Sequence, residues 1–253
     1  MEKHVQVLDL SHKRHTYAVG DIQGSFDLLE EKLEALGFDK EQDALIAVGD
    51  LIDRGGQSFK ALQYLRKDWF YAVKGNHEDF AVLGAFDSYY ANQHKKNGGE
   101  WFYRLDEDSR YIYASEFEKL PVALELHLNG RKYGFTHADV LGNDWNAFTA
   151  QLRAYPESIA HKGSVLFHAL WSRSRARDWF TGFDESNHSS ILGVDEVYVG
   201  HTPFDEALSV HNINYIDTKA YESEKFTIVQ VGTRVPQAPL EHYKYSTEEF
   251  WES

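Results

Sequence analysis

Short apolar runs recur along the chain, the first six ending on polar residues: TYAVGD from Thr16, ALIAVGD from Ala44, FYAVKGN from Phe70, KYGFTHAD from Lys132, EVYVGHT from Glu196, INYIDT from Ile213 and FTIVQV from Phe226. Most are too short for a stable helix, are rich in Val, Ile, Tyr and Phe, and break at Gly or a polar side chain, so they predict buried strands. Between the first two, Phe26, Leu29, Leu33 and Leu36 follow helical spacing, with Ser25 placed to cap the start and Gly37 to close the end. Between the second and third, QSFKALQYLRK repeats the pattern with Phe59, Leu62 and Leu65. The opening eighty residues therefore read β-α-β-α-β, a parallel sheet with crossover helices, and the chain falls in the α/β class. No linker rich in Pro, Gly or Ser justifies a cut, so a single domain over residues 1–253 is expected, with 79–119 and 143–190 as helical or loop insertions and a C-terminal extension over 233–253.

The polar residues that end these runs carry the chemistry. Asp21, Asp50, Asn76, His137, His201 and Asp217 each stand at or just beyond the C-terminal end of an expected strand, the edge where α/β sheets hold ligands. One Gly-Asp after a strand is ordinary turn chemistry. Six tips restricted to Asp, Asn and His are a different matter, because hard oxygen donors plus imidazole suit divalent Mn, Fe or Zn, and a carboxylate between two ions can bridge them.

Composition removes other chemistries. The chain has no cysteine, which excludes disulfides, zinc-thiolate sites and thiol nucleophiles. With 26 Lys plus Arg against 40 Asp plus Glu, the net charge of −14 argues against nucleic-acid partners and anionic membranes, so any phosphate must be attracted locally. The N-terminal stretch has no apolar run of signal-sequence type and no stretch approaches a membrane span, so a cytoplasmic protein is expected.

The ordered motifs GDIQG at 20–24, GDLIDRG at 49–55, GNHE at 75–78, THAD at 136–139 and GHT at 200–202 resemble the signature of the metal-dependent phosphoprotein phosphatases. KNGGEWF at 96–102, LWSRS at 170–174 and YIDT at 215–218 bring the resemblance closest to the bacteriophage lambda protein phosphatase and its bacterial relatives, over about residues 15–232. The resemblance implies the calcineurin-like metallophosphoesterase fold, two β-sheets packed face to face with helices outside. It implies two divalent ions, manganese first with Fe or Zn as alternatives. Asp21 and Gln23 would hold the first ion, Asp50 would bridge, and Asn76, His137 and His201 would hold the second. His77 would be the general acid with Asp53 fixing its tautomer, and Arg54 and Arg173, with Asn76, would bind the phosphate.

Three positions depart from the family pattern. Gln23 stands where the family has His, Lys74 where lambda-like members have Arg, and Lys219 where a Gly often follows Asp-Thr. An amide oxygen is a weaker donor than imidazole, so a looser first metal site is expected. His94, His127, His161, His168, His188 and His211 match no motif position and are read as ordinary histidines, and the aromatics around Trp101 as core of the insertion. Three functions follow. The leading one is a metal-dependent phosphomonoesterase acting on phosphoserine or phosphothreonine proteins, with phosphotyrosine in range. The others are a dinucleoside tetraphosphatase, favoured by Gln23 and opposed by Asp53-Arg54-Gly55, and a non-catalytic binding protein whose metal site has decayed.

Overall fold

The computed structural model of the chain describes residues 4–156, 158–181, 189–223 and 225–237. His188 and the extension from residue 238 lie outside the described residues. The first half runs β1 (Val5–Asp9), β2 (Thr16–Val19), α1 (Phe26–Leu36), β3 (Ala44–Ala47), α2 (Ala61–Leu65), β4 (Phe70–Ala72), α3 (Asn76–Gly84), α4 (Ser88–Lys96) and α5 (Glu107–Glu118). The second runs β5 (Ala123–Leu128), β6 (Arg131–Thr136), α6 (Trp145–Ala154), α7 (Val165–Trp171), α8 (Ser174–Thr181), β7 (Glu196–Val199), β8 (Leu208–Val210), β9 (Ile213–Tyr215), α9 (Ala220–Ser223) and β10 (Ile228–Gln230).

Two sheets form. One has the order β10-β2-β3-β4, with β2, β3 and β4 parallel and β10 antiparallel to β2. The other has the order β1-β5-β6-β7-β9-β8. Strand periodicity explains how they stack. Ala18, Ile46 and Val48 of the first sheet meet Leu124, Leu126, Phe135 and Tyr198 of the second in one buried layer. Their alternates Tyr17, Val19, Leu45 and Ala47 face Phe26, Leu29 and Leu33 of α1. On the far side of the second sheet, Val197 and Val199 pack with Trp145, Phe148, Leu166 and Leu170. The result is the expected pair of face-to-face sheets with helices outside.

Helix α1 ends where expected, with Gly37 in the left-handed conformation at φ 70°. Ser25 makes no side-chain cap, however, and Leu36 stays exposed. The second predicted helix is shorter than the sequence suggests. It opens as a 3-10 turn over Ser58–Lys60 that leaves Phe59 exposed, and Tyr64 takes the buried place. The cause is Ser58, whose Oγ accepts the backbone N–H of Asp53 at 2.8 Å and so ties the helix start to the preceding loop. Past the last strand, Val235 is buried and the carbonyl of Pro236 accepts from Ser209 at 2.7 Å, so this part of the extension packs along β8. Among the described residues, no helix is long and apolar enough to cross a membrane.

Candidate active site

The ends of β2, β3 and β4 in one sheet and of β6, β7 and β9 in the other meet at a common edge. There Asp21, Gln23, Asp50, Arg54, Asn76, His77, Arg173, His201 and Asp217 line a cavity of about 240 Å³. The backbone is bent to bring them there. Gln23, Asp50, Asp53, Arg54 and His201 all have φ between 42° and 77°, a region that costs a non-glycine residue energy and recurs at functional sites. The Glu78 carboxylate holds the tightest bend, accepting N–H groups from Asp50 at 3.0 Å, Leu51 at 2.8 Å and Gly75 at 2.8 Å.

The donor set fits a cation. His137 Nδ1–H donates to the Val48 carbonyl at 2.8 Å, and His201 Nε2–H donates to the Trp171 carbonyl at 3.0 Å. These bonds fix the tautomers, so the lone pairs of His137 Nε2 and His201 Nδ1 both face Asn76 Oδ1, at 2.8 and 3.0 Å. Two imidazole lone pairs directed at one amide oxygen call for a positive charge among them. Asp50 Oδ1 stands 3.3 Å from the same His137 Nε2, and donor atoms of Asp21, Asp50 and His137 lie within 4.8 Å of one another. Such separations match donors about 2.0–2.2 Å from a shared ion. Burial lowers the pKa of both His137 and His201, which favours the neutral, lone-pair form. Burial first, then Asp217 and Asp50, push Asp21 well above the usual carboxylate range, the mark of acidic groups crowded without counter-charge.

Around this cluster stand the side chains to which the resemblance gives roles toward a substrate. His77 Nδ1 is 2.6 Å from Asp53 Oδ2, and its Nε2 lies 3.7 Å from Asp50 Oδ2, toward the cavity. Burial works against the charge on Asp53, but hydrogen bonds from His77 and His94 outweigh it and hold the carboxyl at about 2. An ionised Asp53 can only accept, so His77 carries its proton on Nδ1. The Arg54 guanidinium lies over the Tyr221 ring at 4.8 Å, and Arg173 Nη2 donates to the His201 carbonyl at 3.2 Å. Of the three arginines in SRSRAR, only Arg173 reaches the cavity lining. Arg175 is buried on Asp139 at 2.9 Å, and Arg177 pairs with Asp178 at 3.0 Å.

The structure also separates residues that sequence spacing had grouped, and adds two. Lys74 is turned onto Glu118 at 3.1 Å and is absent from the cavity lining. Lys219 Nζ lies 3.3 Å from Asp205, and its φ of 59° shows why glycine suits this turn. His94 is not an ordinary core histidine. It is fully buried, with Nε2 2.8 Å from Asp53 Oδ2, while Trp101 Nε1–H donates to Asp53 Oδ1 at 2.7 Å. The 79–119 insertion therefore enters the site. A signal was available in the glycine pair that follows His94, since a side chain at Gly99 would occupy the space of the His94 ring.

Fold and site together define a metal-dependent hydrolase of phosphate esters. The sequence profile of the calcineurin-like phosphoesterases matches residues 15–217, and the chain belongs to that family. The chain is 34% identical over 235 residues to serine/threonine-protein phosphatase 1 of Salmonella typhimurium, covering 91% of this chain and 98% of the relative. It is 31% identical over 161 residues to a symmetrical bis(5'-nucleosyl)-tetraphosphatase of Coxiella burnetii, covering 61% of this chain and 52% of that protein. Among solved structures, a protein serine/threonine phosphatase from Saccharomyces cerevisiae superposes with a TM-score of 0.60 at 14% identity, over 94% of this chain and 85% of the other. The family implies divalent metal ions, and Asp21, Asp50 and His137 are a group able to hold one.

Proposed function

We propose that the chain removes phosphate from phosphorylated proteins as a metal-dependent phosphomonoesterase. The observation that carries this reading is the facing of His137 Nε2 and His201 Nδ1 on Asn76 Oδ1, with Asp50 Oδ1 against the same His137 Nε2 and both arginines on the same cavity. In this reading Asp21, Gln23 and Asp50 would hold a first ion, and Asp50, Asn76, His137 and His201 a second. When bound, such divalent ions, manganese by preference, would make hydroxide available near neutral pH and add positive charge at the phosphoryl oxygens.

The chain's own residues do the rest. Arg54 and Arg173 orient the phosphoryl group by paired N–H donors and offset its charge as it grows in the transition state. Asn76 lines the same space and its amide contributes to phosphate positioning. As the imidazolium, with Nδ1–H tied to Asp53, His77 presents a second proton on Nε2 to the cavity, delivers that proton to the departing alkoxide or phenoxide, and is left as the neutral Nδ1–H imidazole. Asp53 stays ionised and keeps the imidazole from rotating.

Likeness over nearly the whole length of the Salmonella phosphatase supports phosphoprotein substrates over dinucleotides, as does the retained Asp53-Arg54-Gly55. The test is phosphate release from phosphoserine, phosphothreonine and phosphotyrosine peptides with added manganese, beside diadenosine tetraphosphate. Turnover of the peptides is expected. Faster release of ADP from diadenosine tetraphosphate than of phosphate from any peptide would assign the chain to the nucleotide hydrolases, and no turnover of either would leave it a binding protein.

A further inference from the structure

The Asp53 carboxylate receives more donors than orienting one imidazole requires. His77 Nδ1–H and His94 Nε2–H both point at Oδ2, at 2.6 and 2.8 Å, and Trp101 Nε1–H points at Oδ1 at 2.7 Å. The three donors come from α3, α4 and the 3-10 turn over Gly99–Arg104. The acceptor sits on a residue with φ 77°, outside the ordinary range for its type. His94 is itself held. Its Nδ1 accepts from the Tyr103 hydroxyl at 3.1 Å, its ring packs between Phe80 and Phe102, and its flank fills the space where any side chain at Gly99 would stand. A fully buried imidazole on α4 with both nitrogens committed does more than fill space.

We propose that His94 is a positioning residue for proton delivery. With Trp101 it locks the plane of the Asp53 carboxylate so that Oδ2 stays aimed at His77 Nδ1 and His77 Nε2 stays aimed at the leaving oxygen. This rests on the reading of His77 as the proton donor. Without His94, Oδ2 keeps only His77 and the carboxylate is braced from the insertion by Trp101 on Oδ1 alone, so its plane can turn about the Cβ–Cγ bond and the imidazole turns with it. The loss then falls on leaving groups that need a proton and spares those that depart as stable anions.

The experiment compares kcat on phenyl phosphate, a poor leaving group, with kcat on para-nitrophenyl phosphate, a good one, in the full-length protein with manganese. For His94→Phe, kcat on phenyl phosphate is expected to fall about tenfold further than on para-nitrophenyl phosphate, with KM and manganese stoichiometry unchanged. His94→Gln, whose amide N–H can replace Nε2–H, is expected to recover most of that difference. Equal losses on the two substrates, no loss on either, or failure of Gln to recover more than Phe overturns the proposal. Should His94→Phe fail to fold, Trp101→Phe takes its place with the same expected and overturning results. His77→Asn separates the two readings. If it shows no leaving-group dependence, the proton-donor reading falls; if it does and the His94 and Trp101 variants do not, only the positioning role falls.

Discussion

Asn76 Oδ1 and His137 Nε2 face each other at 2.8 Å as two acceptors, one at the end of a four-stranded sheet and the other at the end of a six-stranded one. A cation between them turns repulsion into attraction. His137→Ala is therefore expected to weaken manganese binding by more than the roughly 10-fold cost typical of losing a supporting partner of a ligand. Titration followed by manganese electron paramagnetic resonance measures it. The same variant should lose the rise in melting temperature that saturating manganese gives the unaltered protein, since binding to the folded state alone adds about 2.7 kcal/mol at one hundred times Kd.

Gln23 is buried at the cavity wall, and its backbone N–H is tied to the Asp50 carbonyl at 2.7 Å, so a side chain placed there is held near Asp21. Gln23→His should tighten the first metal site for manganese and still more for zinc, because imidazole is the softer and stronger donor. Competition against a fluorescent chelator checks this, and equal affinity in the two proteins would argue that Gln23 takes no part in coordination.

Arg54 offers a planar fork and rests on Tyr221, two properties a lysine lacks. Arg54→Lys is expected to lower kcat/KM by about 100-fold, the usual scale for removing one transition-state donor, and to weaken inhibition by inorganic phosphate. Steady-state kinetics with phosphate as a competitor would show both changes.

Away from the site, Asp43 is wholly buried ahead of β3. Its carboxylate accepts Arg14 Nε at 2.9 Å and Nη2 at 2.5 Å, along with the N–H groups of His15 at 3.1 Å and Asp39 at 2.9 Å. Burial acts to raise its pKa, yet the bonds from Arg14 and Asp39 prevail and hold it below the usual carboxylate value. A group depressed on folding gives stability that is present above its unfolded pKa of about 3.9 and lost as pH falls through the lower folded value. Asp43→Asn should cost about 1–3 kcal/mol at neutral pH and flatten the acid limb of the stability profile. Urea unfolding across the acid range measures it.

Much of this arrangement is legible in the residues because strand ends and glycine turns are local features. The seven apolar runs that predicted strands each contain one in the structure; Asp21, Asp50, Asn76, His201 and Asp217 at their tips line the cavity, and His137 stands behind them against Asn76 and Asp50. Three strands escaped. β1, with VQVLD, exposes most of its side chains, β5 carries Glu125 and His127 within its run, and β8 is three residues long. Their strand character comes from pairing, Val5 with Ala123 and Leu208 with Tyr215, which no local pattern announces. His94 and Trp101 escaped for a related reason. Both lie in a polar, lysine-bearing stretch whose meaning depends on a carboxylate more than forty positions earlier. Lys74 runs the other way, because its neighbours in sequence are at the site while its own side chain turns away to Glu118.

The division of candidate ligands between the sheets has a mechanical consequence. Asp21, Asp50 and Asn76 belong to the four-stranded half, and His137 and His201 to the six-stranded half. Cations held among them would rivet the layer where the sheets lie against each other, in a chain that has no cysteine with which to make a covalent link. Chelation should then loosen the seam as a whole, and amide hydrogens of β3 and β7, far apart along the chain, should begin to exchange together.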